Sequence, residues 1–243
     1  MPGHYSYAAT SNECHMGRKQ AHVNALSLVE VLEPLSTEEL EELAERCPDV
    51  RLQKGEGFYR PNEHDGGLFL VTEGRVRVFG ISPRGEELTL ALLGSGTALL
   101  ARRLRGLHTQ AVEPSVLAFV PRRELERLVR KKPEVGLRLV NLLTERLRLM
   151  DARMSDVIYK EVPARLASLI LQLLSEEGVV GPGGRMIPGP YTHEQLGTMI
   201  GAKRVAVARA FKRLRQAGAV EVERYRIRVT DLGALERLAR EVR

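Results

Sequence analysis

Apolar positions change period along this chain, and the changes divide it. From residue 23 to residue 47 they recur at helical spacing. A short helix is predicted over Val23–Leu32, and a second is opened by Ser36-Thr37-Glu38-Glu39, with Leu40 and Leu43 inward and Pro48 beyond its end. Short β-type runs then take over, at Val50–Gln53, Gly67–Thr72, Arg75–Ile81, Glu87–Leu93, Thr109–Val112 and Val116–Val120. Turn residues break them, among them Lys54-Gly55-Glu56-Gly57, Glu73-Gly74 and Ser82–Gly85. Strands this short and this evenly spaced predict an antiparallel β barrel or jelly roll.

Pro121 opens a helix and Pro133 a longer one. On the longer helix Gly136, Val140, Leu143, Leu147, Met150, Met154 and Val157 follow one another in alternating steps of four and three. That rhythm is a coiled-coil seam. Leu139, Leu142 and Leu149 form a second stripe that can face the barrel, which leaves the first for a partner copy. A helix packed only on its own domain is the alternative; the two stripes favour a dimerising spine.

After the break at Tyr159–Pro163 a helix is predicted over Ala164–Ser175, with Leu166, Leu169, Ile170 and Leu173 apolar. Gly178–Gly189 is rich in Gly and Pro. Then comes YTHEQLGTMIGAKRVAVARAFKRLRQAG, residues 191–218, which reads as two short helices joined by a tight turn. Thr192 and Gln195 stand in capping-box register, Gly201 breaks the first helix, and Gly218 ends the second, which runs from about Ala202 to Ala217. Val207, Phe211 and Leu214 are its inner face. Arg204, Val205, Ala208, Arg209 and Lys212 lie on the other. Val220–Glu223 and Tyr225–Val229 read as a two-stranded wing, and Asp231–Glu241 as a last helix. The whole is a winged helix-turn-helix whose second helix could lie in a DNA major groove.

The 243 residues suit two small domains. The fold class expected is α+β, in four parts: a flexible tail at 1–22, a sensor barrel at 23–132, a dimerisation helix at 133–160 and a DNA-binding domain at 161–243. Charge sharpens this division. From residue 200 onward there are twelve Lys or Arg against five Asp or Glu, a surplus of seven, whereas the whole chain nets +6. The positive excess therefore lies wholly in the C-terminal part, and a local basic patch points to a polyanionic partner.

Two cysteines, Cys14 and Cys47, are too few for a disulfide framework or a four-cysteine iron–sulfur site. No apolar run reaches membrane-spanning length and the start lacks the apolar segment of a signal peptide, so a cytoplasmic location without membrane association is expected. His4, Cys14, His15 and His22 in the tail lack the spacing of a closed metal site. No nucleophile–base pair, metal-ligand spacing or phosphate loop stands out, which argues against an enzyme.

Barrel, long helix and winged helix-turn-helix, in that order, resemble the CRP/FNR superfamily of bacterial transcription regulators across roughly residues 23–241. The matching residues include LQKGEGFYRPNEHDGGLFLVTEGRVRVF at 52–79, with Gly55, Gly57, Gly74 and Val76 at the turns of a cyclic-nucleotide-binding barrel. Pro121-Arg122 and the stretch opening with Thr192-His193-Glu194-Gln195-Leu196 match as well.

In a cyclic-AMP-binding member the resemblance implies Gly-Glu-Leu, then Arg-Ser about ten residues on. Here the effector-pocket positions carry Gly94-Ser95-Gly96 and Arg105-Gly106, and only Gly94 and Arg105 match. The Thr-Ser pair of the long helix becomes Met150-Asp151. An anionic nucleotide loses most of its partners, which argues against cyclic AMP as effector and leaves the effector unknown. His64 and His108, the only barrel histidines, read as solvated rather than as haem ligands.

In the second helix the family pattern Arg-Glu-x-x-Ser/Gly-Arg is Arg204-Val205-Ala206-Val207-Ala208-Arg209. Each arginine can make a bidentate contact to guanine, while Val205 offers methyl contact in place of a glutamate. Thr192, Lys203, Lys212, Arg213 and Arg224 complete the expected DNA-contacting set, the last three toward phosphates. Val140, Leu143, Leu147, Met150, Met154 and Val157 form the expected dimer interface. The function implied is a homodimeric, sequence-specific regulator on a palindromic double-stranded site, with RNA polymerase a further partner. A broad-specificity architectural DNA-binding protein of the same fold, or a nucleotide-binding regulatory subunit of an enzyme, are the alternatives.

Overall fold

A computed structural model describes residues 12–58, 66–100, 107–181, 184–223 and 226–242. The chain forms two compact units. The first comprises residues up to Val78 and Ala91–Leu143; the second comprises Phe79–Leu90 and Thr144 onward. The tip of one β hairpin thus belongs with the C-terminal half.

In the first unit, α1 (Asn12–Ser27) leads through a 3-10 turn (Glu30–Leu32) to α2 (Thr37–Arg46). Helix α1 corrects two expectations. It takes in residues 12–22 of the supposed tail, and it stops five residues before Leu32. Val23 and Leu26 are buried and anchor it, and His22 Nδ1 meets Asp49 Oδ1 at 2.6 Å. Helix α2 starts as its sequence dictates. The Glu39 amide donates to Ser36 Oγ (3.3 Å) and the Ser36 amide donates to Glu39 Oε2 (3.0 Å), a complete capping box.

Among the described residues seven strands follow: β1 (Asp49–Leu52), β2 (Gly67–Glu73), β3 (Arg75–Ile81), β4 (Glu87–Gly94), β5 (Ala98–Leu100), β6 (Leu107–Ala111) and β7 (Ser115–Pro121). Only the short β5 was not predicted. They form two sheets, in the orders β1-β7-β2-β5 and β4-β3-β6, so among the described residues the barrel is not closed. Strand β2 shows why this sequence makes this sandwich. Its side chains alternate faces. Phe69 and Val71 enter a core with Phe58, Val76, Leu93 and Leu117, while Leu68 and Leu70 enter another with Leu26, Leu32, Leu43, Val120 and Leu128. Phe69 packs edge-on to Phe58 (5.3 Å between centroids) and against Phe119 (4.9 Å). At the β2–β3 turn Gly74 has φ +76° and a side chain there would strike the Pro114 carbonyl at 2.3 Å, so only glycine fits.

Helix α3 (Arg122–Lys131) follows Pro121, and α4 (Pro133–Tyr159) follows Lys132. Leu139 and Leu142 pack against the helical core of the first unit, as the second stripe requires. Gly136 does not belong to the seam: a Cβ there would lie 3.2 Å from Val129 of α3.

In the second unit α5 (Val162–Glu177) buries Leu166, Leu169, Ile170, Leu173 and Leu174. Strands β8 (Val179–Gly181) and β9 (Gly184–Ile187) come next, then α6 (His193–Ile200), α7 (Arg204–Gln216), β10 (Val220–Glu223), β11 (Arg226–Val229) and α8 (Leu232–Ala239). The wing is larger than expected. Its sheet has the order β10-β11-β9-β8, because the Gly- and Pro-rich stretch before the helix-turn-helix pairs with it. Ile187 lies opposite Ile227, and both are buried. Long-range pairing around that apolar contact overrides the weak local preference of the segment.

Candidate nucleic-acid interface

Three backbone devices fix the helix-turn-helix. Thr192 Oγ1 accepts the Gln195 amide at 3.1 Å, and Gln195 Oε1 accepts the Thr192 amide at 2.8 Å. Gly201 adopts φ +62°, ψ 45°, a left-handed cap that a side chain would strain. Past it, the Ala202 amide donates to the Gly197 carbonyl at 2.9 Å. Gly197 has no room for a side chain, since a Cβ would fall 2.4 Å from the Ala202 carbonyl oxygen. Beneath the turn, buried Arg165 on α5 donates from Nη1 to the Ile200 carbonyl at 2.7 Å and satisfies the end of α6.

Helix α7 buries Val207, Ala210, Phe211 and Leu214 and turns its other side to solvent. Val205 is 63% exposed, the value of a residue presented outward rather than packed. At ~100° per residue Arg204 and Arg209 flank it, ~140° apart, and Lys212 lies beside it. Lys203, Arg204, Arg209 and Lys212 are exposed, and Ala208 is half-buried. These positions share one face, as the sequence required.

Arg213, expected toward phosphate, is half-exposed and ion-paired. Its Nη2 donates to Glu241 Oε2 at 2.5 Å, and its Nη1 lies 4.0 Å from Glu161. The two carboxylates offset part of its charge. Thr192, expected in the DNA-contacting set, accepts the cap bond with its hydroxyl oxygen and keeps its O–H as a donor. Arg224 lies outside the described residues.

Three further residues shape the interface, and they differ in how legible they were beforehand. His193 stacks on Phe211 with centroids 5.2 Å apart, which ties the start of α6 to the inner face of α7. Burial, then the nearby Arg204 and Arg215 charges, hold its imidazolium below the usual histidine range. Gly197 did carry a signal: a glycine inside a helix costs stability and so implies close approach of another chain segment. Arg165 carried none, because a charged residue in an amphipathic helix reads as solvent-facing.

On α4 the predicted seam is open to solvent. Val140, Leu147 and Met154 are 58%, 61% and 61% exposed, and Leu143, Met150 and Val157 are exposed too. A row of six apolar side chains in water has a hydrophobic cost that a partner surface would remove.

The effector positions give a different picture. Gly94 ends β4 and Ser95 opens the β4–β5 turn, where the Thr97 hydroxyl donates to Gly94 O (2.6 Å) and the Ser95 hydroxyl donates to Gly74 O (3.4 Å). Met150 and Asp151 are exposed on α4. Arg105 and His64 lie outside the described residues, and His108 is exposed on β6. Among the described residues no group of three or more His, Cys, Asp or Glu could hold a metal ion, and no helix is long and apolar enough to cross a membrane. Cys47 is buried, and burial pushes its thiol up to about 12.

Comparison with known proteins agrees with this geometry. Residues 164–238 match the Crp-like helix-turn-helix domain, and residues 49–132 match the cyclic nucleotide-binding domain. The chain is 30% identical over 191 residues to the cyclic AMP receptor protein of Thermus thermophilus, covering 76% of this chain and 85% of that protein. It is 26% identical over 192 residues to the global nitrogen regulator of Synechococcus elongatus, covering 76% and 86%. Among solved structures, a CooA variant from Carboxydothermus hydrogenoformans superposes with a TM-score of 0.76 at 26% identity, over 87% of this chain and 95% of that one.

Proposed function

The chain belongs to the CRP/FNR family of DNA-binding transcription regulators, and from that premise we propose that it acts as a homodimer reading a two-fold symmetric DNA site through α7. The observation that carries the proposal is the presence of two solvent-exposed surfaces. One is the outward face of α7, with Arg204, Val205 and Arg209 exposed. The other is the apolar seam of α4, whose steps from Val140 to Val157 keep the coiled-coil spacing. A two-fold axis along α4 would present two copies of α7 to successive major grooves, about 34 Å apart.

Arg204 and Arg209 read guanines, Val205 packs on a thymine methyl, and Lys203, Lys212 and Arg224 hold phosphates. The barrel does not take cyclic AMP in the manner the family resemblance implies. Ser95 stands where the ribose-binding glutamate would be, with its hydroxyl spent on Gly74 O. On the long helix Met150 and Asp151 stand where the resemblance implies a Thr-Ser pair. RNA polymerase is the expected protein partner. The apolar seam favours the homodimeric regulator over an architectural protein, which needs no symmetry.

Selection of duplexes from random DNA tests this reading. A palindrome with a guanine in each half-site, lost from the consensus for Arg204→Ala or Arg209→Ala, is expected. Uniform binding to all sequences would replace it with the architectural alternative.

A further inference from the structure

His193 is the first residue of α6, and its ring lies on Phe211 of α7 with centroids 5.2 Å apart and planes inclined by 26°. The stack fixes the imidazole. The residue is only half-buried, so part of it meets solvent. Two amides beside it are open. The Gln195 amide donates to Thr192 Oγ1 at 3.1 Å and the Leu196 amide to Thr192 O at 3.0 Å, which leaves the His193 and Glu194 amides without an acceptor among the described residues. Open amides at a helix start favour an anion.

The charges that reach the imidazole from α7 are both positive, Arg204 and Arg215. They lie eleven residues apart, three turns along α7 and ~20° around it, so they share one side of the helix. Both are exposed, and among the described residues neither has a carboxylate partner. The charged groups of the other neighbouring elements are engaged elsewhere. On α5, Glu177 accepts from the Tyr191 hydroxyl and Arg165 donates to Ile200 O. On the β3–β4 hairpin, Glu86 lies 3.8 Å from Lys203 Nζ. Glu194 is the one acid of α6 itself. Burial, then the two guanidinium groups, therefore keep the free imidazole uncharged near neutral pH. A phosphate reverses that balance. At the two open amides it offsets the arginine field and gives an imidazolium an acceptor, so the charged ring becomes the stable form. The first helix of a helix-turn-helix crosses the DNA backbone while the second enters the groove, which brings phosphate to this end of α6.

We propose that His193 is a proton-linked phosphate contact: each half-site docks one backbone phosphate at the start of α6 and takes up one proton on this imidazole. The proposal rests on the DNA-binding reading above and adds a regulation to it. The bound protein holds more protons than the free one, so affinity rises as pH falls. Sequence preference stays the same, because a phosphate contact carries no base information.

The test titrates the full-length protein with a duplex from the selection above, at fixed salt, between about pH 6 and 8. Wild-type affinity should rise as pH falls, by at most about tenfold per pH unit for each half-site, the limit for one proton. His193→Gln should flatten that slope. His193→Arg, charged throughout, should be flat as well and should bind at about pH 8 as tightly as the wild type does at about pH 6. His108→Gln, exposed on β6, should keep the wild-type slope. Calorimetry in two buffers of different ionisation heat should record proton uptake on binding for the wild type and none for either His193 variant. Circular dichroism at each pH checks that the compared proteins are folded. A slope or a proton uptake that survives in His193→Gln overturns the contact. So does His193→Arg binding no tighter than His193→Gln at the upper pH. Wild-type binding that does not vary with pH overturns the contact alone. Failure of the wild type to bind any duplex at low salt, at either end of the pH range, overturns the DNA reading and the contact with it.

Discussion

Replacing Gly197 by alanine sets two effects against each other, and the structure says which wins. Gly197 is inside α6, and alanine in a helix is favoured over glycine by about 1 kcal/mol. A Cβ at this position would lie 2.4 Å from the Ala202 carbonyl oxygen, a backbone atom, where real Cβ contacts begin at 3.0 Å. The turn must therefore retreat by at least 0.6 Å. That movement strains or breaks the 2.9 Å bond from the Ala202 amide to the Gly197 carbonyl. Loss of one such bond costs about 1–3 kcal/mol when its groups stay buried, and bond-angle strain of ~7° adds about 1 kcal/mol. The sum exceeds the propensity gain, so Gly197→Ala should destabilise the second unit by about 1–3 kcal/mol. It should also weaken specific DNA binding, because the turn sets the angle of α7. Gly233 in α8 is the internal control. A Cβ there meets only the ends of Arg237 and Asp231, at 3.4 Å, so Gly233→Ala should stabilise by about 0.5–1 kcal/mol. Urea unfolding followed by circular dichroism, with duplex titration on the same samples, measures both. If Gly197→Ala instead stabilised the protein as Gly233→Ala does and left DNA affinity unchanged, the close approach of the turn would be wrong.

Further expectations concern readout, assembly, pH and reactivity. Val205→Glu should move preference toward a C·G pair at one position of each half-site; a wild-type consensus already demanding that pair would put Val205 away from the base edge. Lys212→Ala should weaken all duplexes alike and lower the slope of log affinity against log salt by about 0.9, read from titrations at several salt concentrations. Leu147→Asp should give monomers in sedimentation with the fold intact, since Leu147 is 61% exposed within one chain and the charge is tolerated there until a partner covers it. His193 has a depressed pKa, so the unfolded chain binds more protons. Its contribution is whole above the ordinary value of 6.5 and is lost as pH falls through 6.5 toward the folded value. His193→Gln should therefore flatten the acid side of the stability profile, measured by urea midpoints across that range. In a Cys14→Ser variant, Cys47 should resist a thiol reagent at pH 8 until urea exposes it.

The linear chain determined most of the architecture because its signals are local. Period-two and period-3.6 patterns, the Ser36 and Thr192 capping boxes, Gly201 and Gly218 each act within a few residues. The sign and place of the charge, and the face shared by Arg204, Val205 and Arg209, follow from helical spacing alone. What tertiary structure decided depends on partners distant in sequence. The Gly- and Pro-rich stretch at 178–189 became β8 and β9 because Ile187 found Ile227. Helix α1 reached back to Asn12 while Val23 and Leu26 buried themselves against the sheets. Arg213 gained an ion-pair partner because Glu241, 28 residues on, came within 2.5 Å. Arg165 entered the core because the end of α6 needed a donor for the Ile200 carbonyl. Thr89 met Thr198 across 109 residues of sequence. Local preference cannot anticipate such pairings, because their energy exists only once the chain has closed the loop between the two groups.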